Sequence, residues 1–312
     1  MTSRAAGILL GYAVDRLLGD PARFHPVAGF GQGSQRIENL IYRDSRLRGV
    51  AHTAGLVGAV FVVGLAAERS APRGVARTLL TATATWIVLG GRTLEREALA
   101  VHRYLDAGDL PRARTQVKRL VGRDTDSLDA SEISRAVVES VAENTSDAVV
   151  APFVWGALLG VPGLLGYRAA NTLDAMVGHH NARYENFGWA SARFDDLLNL
   201  PGARLAALLT LVSAPRAAGG GWRVWRRDAR LHPSPNAGVI EAAFAGVMGV
   251  RLGGTNRYYG DRIEHRAVMG DGRAAQPADI PVATALARRV GIGAAACAAA
   301  IAVGLARGPI PG

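Results

Sequence analysis

The chain has 312 residues, 49% of them hydrophobic and 20% charged, with a formal net charge of +10 and a single cysteine, Cys297. One cysteine excludes an intrachain disulfide and a cysteine-based metal centre. Every basic residue except Lys118 is arginine, and the arginines are spread through loops with no basic helix or aromatic stacking motif. That distribution speaks against nucleic acid and for loops facing anionic headgroups on the cytoplasmic side of a membrane.

The N-terminal "MTSRAAGILLGYAVDRLLGDP" lacks a small-x-small cleavage site and predicts a retained helix over Ser3–Leu18, stopped by the turn residues Gly19–Pro21. Asp15 inside that apolar run is either a functional group or a partner for Arg16 or Arg23. After the polar "FHPVAGFG" region come windows almost free of charge: Val50–Ala67, Thr78–Gly91, Ala148–Gly166, Leu205–Ala214 and Val290–Ala306. Several approach the ~18–20 residues that cross a bilayer, and their Gly, Ala and Val content suits close helix packing. The first two, joined by "ERSAPRG", predict a helical hairpin. The expected fold class is therefore all-α: a multi-pass integral membrane helical protein forming one domain over residues 1–312, with residues 92–147 as a helical extramembrane insertion.

Within that insertion, apolar residues at helical spacing from Leu94 end at Gly108. Asp109 with Pro111 starts a second helix running to about Val121, and Asp129 with Glu132 forms a capping pair for a third. On that third helix Ile133, Val137 and Val141 share one face, while Glu132, Arg135, Glu139 and Glu143 share another. Such a carboxylate face is either solvated, paired or bound to a cation. Pro152 and the "GVPG" at Gly160–Gly163 break the following apolar stretch, and a re-entrant hairpin there would bring Glu139–Asp147 and Asn171–Asn199 to one surface. Asp195–Asp196 either bind a divalent cation or cap the helix containing Leu197 and Leu198. No Walker phosphate loop, G-x-S-x-G elbow or H-E-x-x-H zinc motif occurs.

The ordered set "GDP…HPV" (19–27), "VGRDT" (121–125), "RAVVESVAENTSDAVVAP" (135–152), "NTLDAMVG" (171–178), "SARFDD" (191–196), "SPNAG" (234–238) and "LGGTNRYYG" (252–260) resembles the CobD/CbiB family of cobalamin biosynthesis, the adenosylcobinamide-phosphate synthases. The resemblance spans nearly the whole chain. It departs locally: the family commonly has Tyr-Lys where His179-His180 stand, Pro directly before Ala203-Arg204, and an aromatic residue at Val239.

The resemblance implies a membrane ligase that condenses adenosylcobyric acid with (R)-1-aminopropan-2-ol or its O-phosphate, with ATP and Mg2+ as cofactors. A carboxylate resists attack by an amine, and conversion to an acyl phosphate removes that resistance. On this expectation Glu139, Glu143, Asp174 and His232 are catalytic. Arg123, Arg135, Asn144, Asn171, Arg193, Asn236 and Asn256 bind substrate or phosphate, and Asp124, Asp126, Asp147, Asp195 and Asp196 hold metal. The expected partners are the corrinoid, the amine, the bilayer of the cell membrane and other late cobalamin-pathway enzymes, with no nucleic acid. A membrane transporter of a corrinoid or other small solute and a sensor resembling the AmpE-like membrane proteins of β-lactamase induction are the alternatives.

Overall fold

A computed structural model describes residues 1–21, 25–258 and 262–307. In chain order the helices are α1 (Ser3–Leu18), α2 (Pro26–Ile41), α3 (Arg46–Ser70), α4 (Val75–Val88), α5 (Gly91–Asp106), α6 (Leu110–Val117) and α7 (Ala130–Thr145). A π-helical turn, Ser146–Val150, then leads to α8 (Ala151–Leu159), α9 (Val161–Val177), α10 (Trp189–Ser213), α11 (Ala218–Asp228) and α12 (Ala237–Met248). Strands β1 (Val250–Tyr258), β2 (Arg262–Met269) and β3 (Arg273–Ala274) precede the last helix, α13 (Asp279–Arg307).

The chain forms two compact units, each assembled from separated stretches: residues 1–90, 147–202 and 294–312 in one, residues 91–146 and 203–293 in the other. In the first unit α1 packs along α4, and α3 along α9. Gly7 and Gly11 of α1 lie against Thr81 and Thr85 of α4, the small-residue contact that lets helix backbones approach closely. The segment joining α3 to α4 is as short as a hairpin needs, yet the two helices take different main partners, α4 packing on α1 and α3 on α9. The break in residues 151–177 falls at Gly160, and α8 and α9 pack on one another with Ala84, Val88, Val161 and Leu164 in the core.

In the second unit α7 lies at the centre, against α5, α6, α12 and β1, and it buries Ile133, Val137 and Val141. The second insertion helix stops at Val117, four residues short of its expected end. The all-α expectation needs correction here, since a three-stranded sheet in the order β2-β1-β3 follows α12. β1 and β2 are antiparallel, β1 and β3 parallel. Gly253 and Gly254 hide this sheet from pattern reading: both have positive φ and make a bulge between Leu252 and Gly254 that breaks the period-two alternation.

Of the five charge-poor windows, two become helices long and apolar enough to cross a membrane, Arg46–Ser70 and Asp279–Arg307, with 22% and 33% of their apolar windows buried. α4 has 14 residues, about 21 Å of helix against a hydrocarbon core of about 30 Å. The 148–166 window is divided at Gly160, and the 205–214 window is only the end of α10, whose first half is polar.

Candidate functional site

Among the described residues, most of the expected site residues gather in two clusters, one in each unit. The second unit's cluster is built on α7. Asp129 Oδ1 accepts from the Glu132 N–H at 2.8 Å while Glu132 Oε2 accepts from the Asp129 N–H at 2.9 Å, so Glu132 is spent on the helix start. One turn in, Arg135 Nη1 donates to Glu139 Oε1 at 3.2 Å, and Arg123 Nη2 donates to Glu139 Oε2 at 2.8 Å. The Gly253 N–H donates to Glu139 Oε1 at 2.8 Å. Arg123 Nη1 also donates to Asn256 Oδ1, and Arg135 to the Gly253 carbonyl. The glycine bulge is what presents that N–H and carbonyl to α7. Gly253 has φ +84°, and a Cβ there would lie 2.2 Å from the Ala267 carbonyl oxygen.

A cavity of about 150 Å³ adjoins this network, lined among others by Arg123, Glu139, Glu143, Glu241, Asn256 and Arg266. Glu241 comes from α12, too short at 12 residues to cross a bilayer. Burial first, then the charges of Glu139 and Glu143, hold the Glu241 carboxyl well above the usual carboxylate range. Behind it, His232 Nε2 lies 3.9 Å from Glu241 Oε1. Burial and then Arg266 lower the His232 pKa, so the ring is neutral and the contact is not an ion pair. His232 Nε2, Asn256 Nδ2 and Arg123 Nε are buried without a hydrogen-bond partner.

The first unit's cluster is built on α9 and α10. On α9, Tyr167, Arg168, Asn171 and Asp174 recur at spacings of three and four; on α10, Asp195 and Asn199 are one turn apart. Asn171 Nδ2 donates to Asp195 Oδ1 at 3.3 Å, and Asn199 Nδ2 to Asp195 Oδ2 at 2.8 Å. The Tyr167 hydroxyl donates to Asn199 Oδ1 at 2.6 Å and lies 2.8 Å from the Asp147 carbonyl oxygen, on the π-helical turn. Burial, then the charge of Asp196, push the Asp174 carboxyl up to about 6. Burial, then Asp174, push Asp195 to about 7, against the hydrogen bonds from Asn171 and Asn199.

The expected site residues thus divide. Arg123, Arg135, Glu139, Glu143, His232 and Asn256 come together in the second unit. Asn144 donates to Ser140 on its own helix, and Asn236 accepts from Arg204 Nη1 at 2.7 Å. Asp124 and Asp126 do not line the cavity: Asp124 Oδ1 accepts from the Asp126 N–H in a turn, and the exposed Asp126 pairs with Lys118 at 2.8 Å. In the first unit Asn171, Asp174, Asp195 and Asp196 belong to one cluster, Asp147 joins it through Tyr167, and the exposed Arg193 lies 3.7 Å from Asp196. Among the described residues no group of three or more His, Cys, Asp or Glu side chains is arranged to hold a metal ion by itself. Magnesium asks less of a protein, one or two carboxylates beside phosphate and water, and the mutually repelling Asp174, Asp195 and Asp196 are donors of that kind.

Sequence reasoning passed over Arg168, Tyr167, Asn199, Arg266 and Glu241 as site residues, although Glu241 stands as a charge in the apolar run 239–250. That charge was itself the signal, since an ionisable group in such a run is functional by default.

The chain is mostly helical, has among its described residues two helices long and apolar enough to cross a membrane, and holds in each unit a polar cluster with at least one buried carboxylate. Residues 8–287 match the profile of the family described as CobD/Cbib protein, and the chain belongs to that family. It is 48% identical over 299 residues to a protein of Mycobacterium tuberculosis, covering 95% of each chain, that bears the name Cobalamin biosynthesis protein CobD. Proteins of the same name from Rhodobacter capsulatus and Geobacter metallireducens are 42% and 43% identical, over 91% and 87% of this chain and 93% and 88% of theirs. No solved structure matches.

Proposed function

We propose that the protein works in cobalamin biosynthesis, where it joins the carboxylate of adenosylcobyric acid to (R)-1-aminopropan-2-ol or its O-phosphate as an amide. The observation that carries this reading is the family match over residues 8–287. ATP and Mg2+, when bound, supply the activation that opens a carboxylate carbon to an amine. Asp174, Asp195 and Asp196 would hold the metal through oxygen ligands. Arg168, whose Nε has no hydrogen-bond partner, is a guanidinium available to phosphate in the same unit. Arg123 and Arg135 fix Glu139 and Asn256 in place. The two helices long and apolar enough to cross a membrane, with arginines spread through the loops, support a cell-membrane location with the site loops in the cytoplasm and residues 92–147 outside the bilayer.

The test is reconstitution in detergent with adenosylcobyric acid and MgATP, offering the amine and its phosphate separately and following product by mass spectrometry. Amide should form with at least one of them. Glu143→Gln and Asp174→Asn should each lower the rate about 10²-fold or more while leaving membrane insertion intact. No product with either amine overturns the reaction, and wild-type rates in both variants overturn the site.

A further inference from the structure

We propose that the corner between α2 and α3 is a binding site for the headgroup of an anionic phospholipid, held by Arg36, Arg43 and Arg48. This rests on the cell-membrane location proposed above and names the lipid chemistry that one surface of the first unit selects. Residues 49–67 of α3 carry no Asp, Glu, Lys or Arg. They make about 28 Å of helix, close to the ~30 Å of a hydrocarbon core. The outward side of that stretch is apolar, with Val50, Val62 and Val63 exposed. When it fills the hydrocarbon, the first turn of α3 lies among the headgroups. Only residues 42–45 separate α2 from α3, so the end of α2 lies at the same level.

The charge of the corner is set by its inner side. Residues 36–48 hold four arginines and two acids, Glu38 and Asp44. Glu38 is fully buried, and Arg183 Nη2 donates to it at 2.8 Å and the Tyr184 hydroxyl at 3.0 Å. Asp44 accepts from Asn186 Nδ2 at 3.0 Å. The loop between α9 and α10 thus engages both acids, and the surface carries four arginines against Asp44 alone. All four arginines are exposed, and Arg36, Arg43 and Arg48 have no partner among the described residues. Guanidinium groups without a carboxylate of their own attract phosphate oxygens and grip them through forked hydrogen bonds. A zwitterionic headgroup adds a cation that these arginines repel, so the surface selects an anionic one.

Apolar side chains share the same surface. Leu40 is 85% exposed and Leu47 77%, and the Arg46 guanidinium lies 5.3 Å from the ring centre of Trp189, itself 41% exposed. Tryptophan favours the membrane–water interface, and leucines beside arginines dip into the acyl boundary there. Guanidinium groups next to bare leucines match a ligand with phosphate at one end and acyl chains at the other. A soluble anion has no use for the leucines.

The test is native mass spectrometry of the full-length protein, delipidated in a neutral detergent and titrated with phosphatidylglycerol, phosphatidylcholine or inorganic phosphate. Phosphatidylglycerol should bind more tightly than phosphatidylcholine, and inorganic phosphate should not displace it. Each arginine near an anionic headgroup contributes about fivefold in affinity, so changing Arg36, Arg43 and Arg48 together to glutamine should weaken the tightest-bound phosphatidylglycerol by about tenfold or more. Phosphatidylcholine binding should stay as it was. Changing Arg103, Arg112 and Arg119 to glutamine, three exposed arginines of the second unit, should alter neither. Should the triple variant fail to fold, Arg43→Gln alone carries the expectation of a loss of about fivefold. Phosphatidylglycerol binding that ignores these substitutions overturns the site, and so does an equal loss in the second-unit variant, which would mean attraction by total charge. Displacement by inorganic phosphate also overturns it, in favour of a free anion. A protein that carbonate washes from membranes would remove the membrane location itself. One that stays in washed membranes, while its tightest lipid ignores these arginines, would remove this site alone.

Discussion

Asp195 keeps a proton to about pH 7 in the folded chain, with Asp174 following at about 6, whereas an unfolded aspartate loses its proton near 3.9. The folded state therefore binds more protons than the unfolded state across this interval. Their protonation favours folding most at the low end, and that advantage is lost as pH rises from about 4 through about 7. Thermal melting in detergent should show stability falling across that range, and Asp195→Asn should flatten the fall. Magnesium should raise the melting temperature at pH 8 more than at pH 5, because only the ionised carboxylates bind it, and the variant should show a smaller gain. An unaltered pH slope in Asp195→Asn would mean that the carboxylate titrates normally. At this scale the sequence could nominate acidic residues but not sort them. "GRDTDS" and "FDD" look alike as strings, yet Asp124 is folded into a turn and Asp126 pairs with Lys118, while Asp195 is buried between two asparagine amides.

Helix starts were legible because capping is local chemistry. Asp129 with Glu132, and Asp109 with Pro111, need no distant partner, and both form as their spacing predicts. The sheet was not legible, because the bulge at Gly253 gains its meaning from Glu139, 114 residues away in sequence. Gly253→Ala puts this to use. The new Cβ would collide with the Ala267 carbonyl at a backbone angle that disfavours alanine, and the expected loss is about 1–3 kcal/mol. Thermal melting measures that cost. A loss of amide formation larger than the loss of folded protein would show that the Gly253 N–H also orders the Arg123–Glu139–Asn256 network.

For the molecule as a whole, mean composition fits a soluble protein as well as a membrane one, and the distribution of charge tips the balance only part of the way. α3 leaves Val62 and Val63 more than half exposed, as a lipid-facing surface would. Val62→Asp should therefore cost about 2.5–3.5 kcal/mol of insertion and deplete the protein from carbonate-washed membranes. If α3 faced water, the same change would leave the distribution alone. Helix length and an unbroken apolar run together separated the two candidate crossings from the other windows, since α10 is as long as α3, at 25 residues, but polar in its first half.

Because the first unit includes residues 294–312 as well as residues 1–90, its earliest-made part waits for nearly the whole chain to leave the ribosome before it can be completed. Contacts so distant along the chain form slowly, so the N-terminal helices spend most of synthesis without the last segment of their unit. A nascent chain arrested at residue 290 should accordingly be more sensitive to protease in its first ninety residues than the released protein.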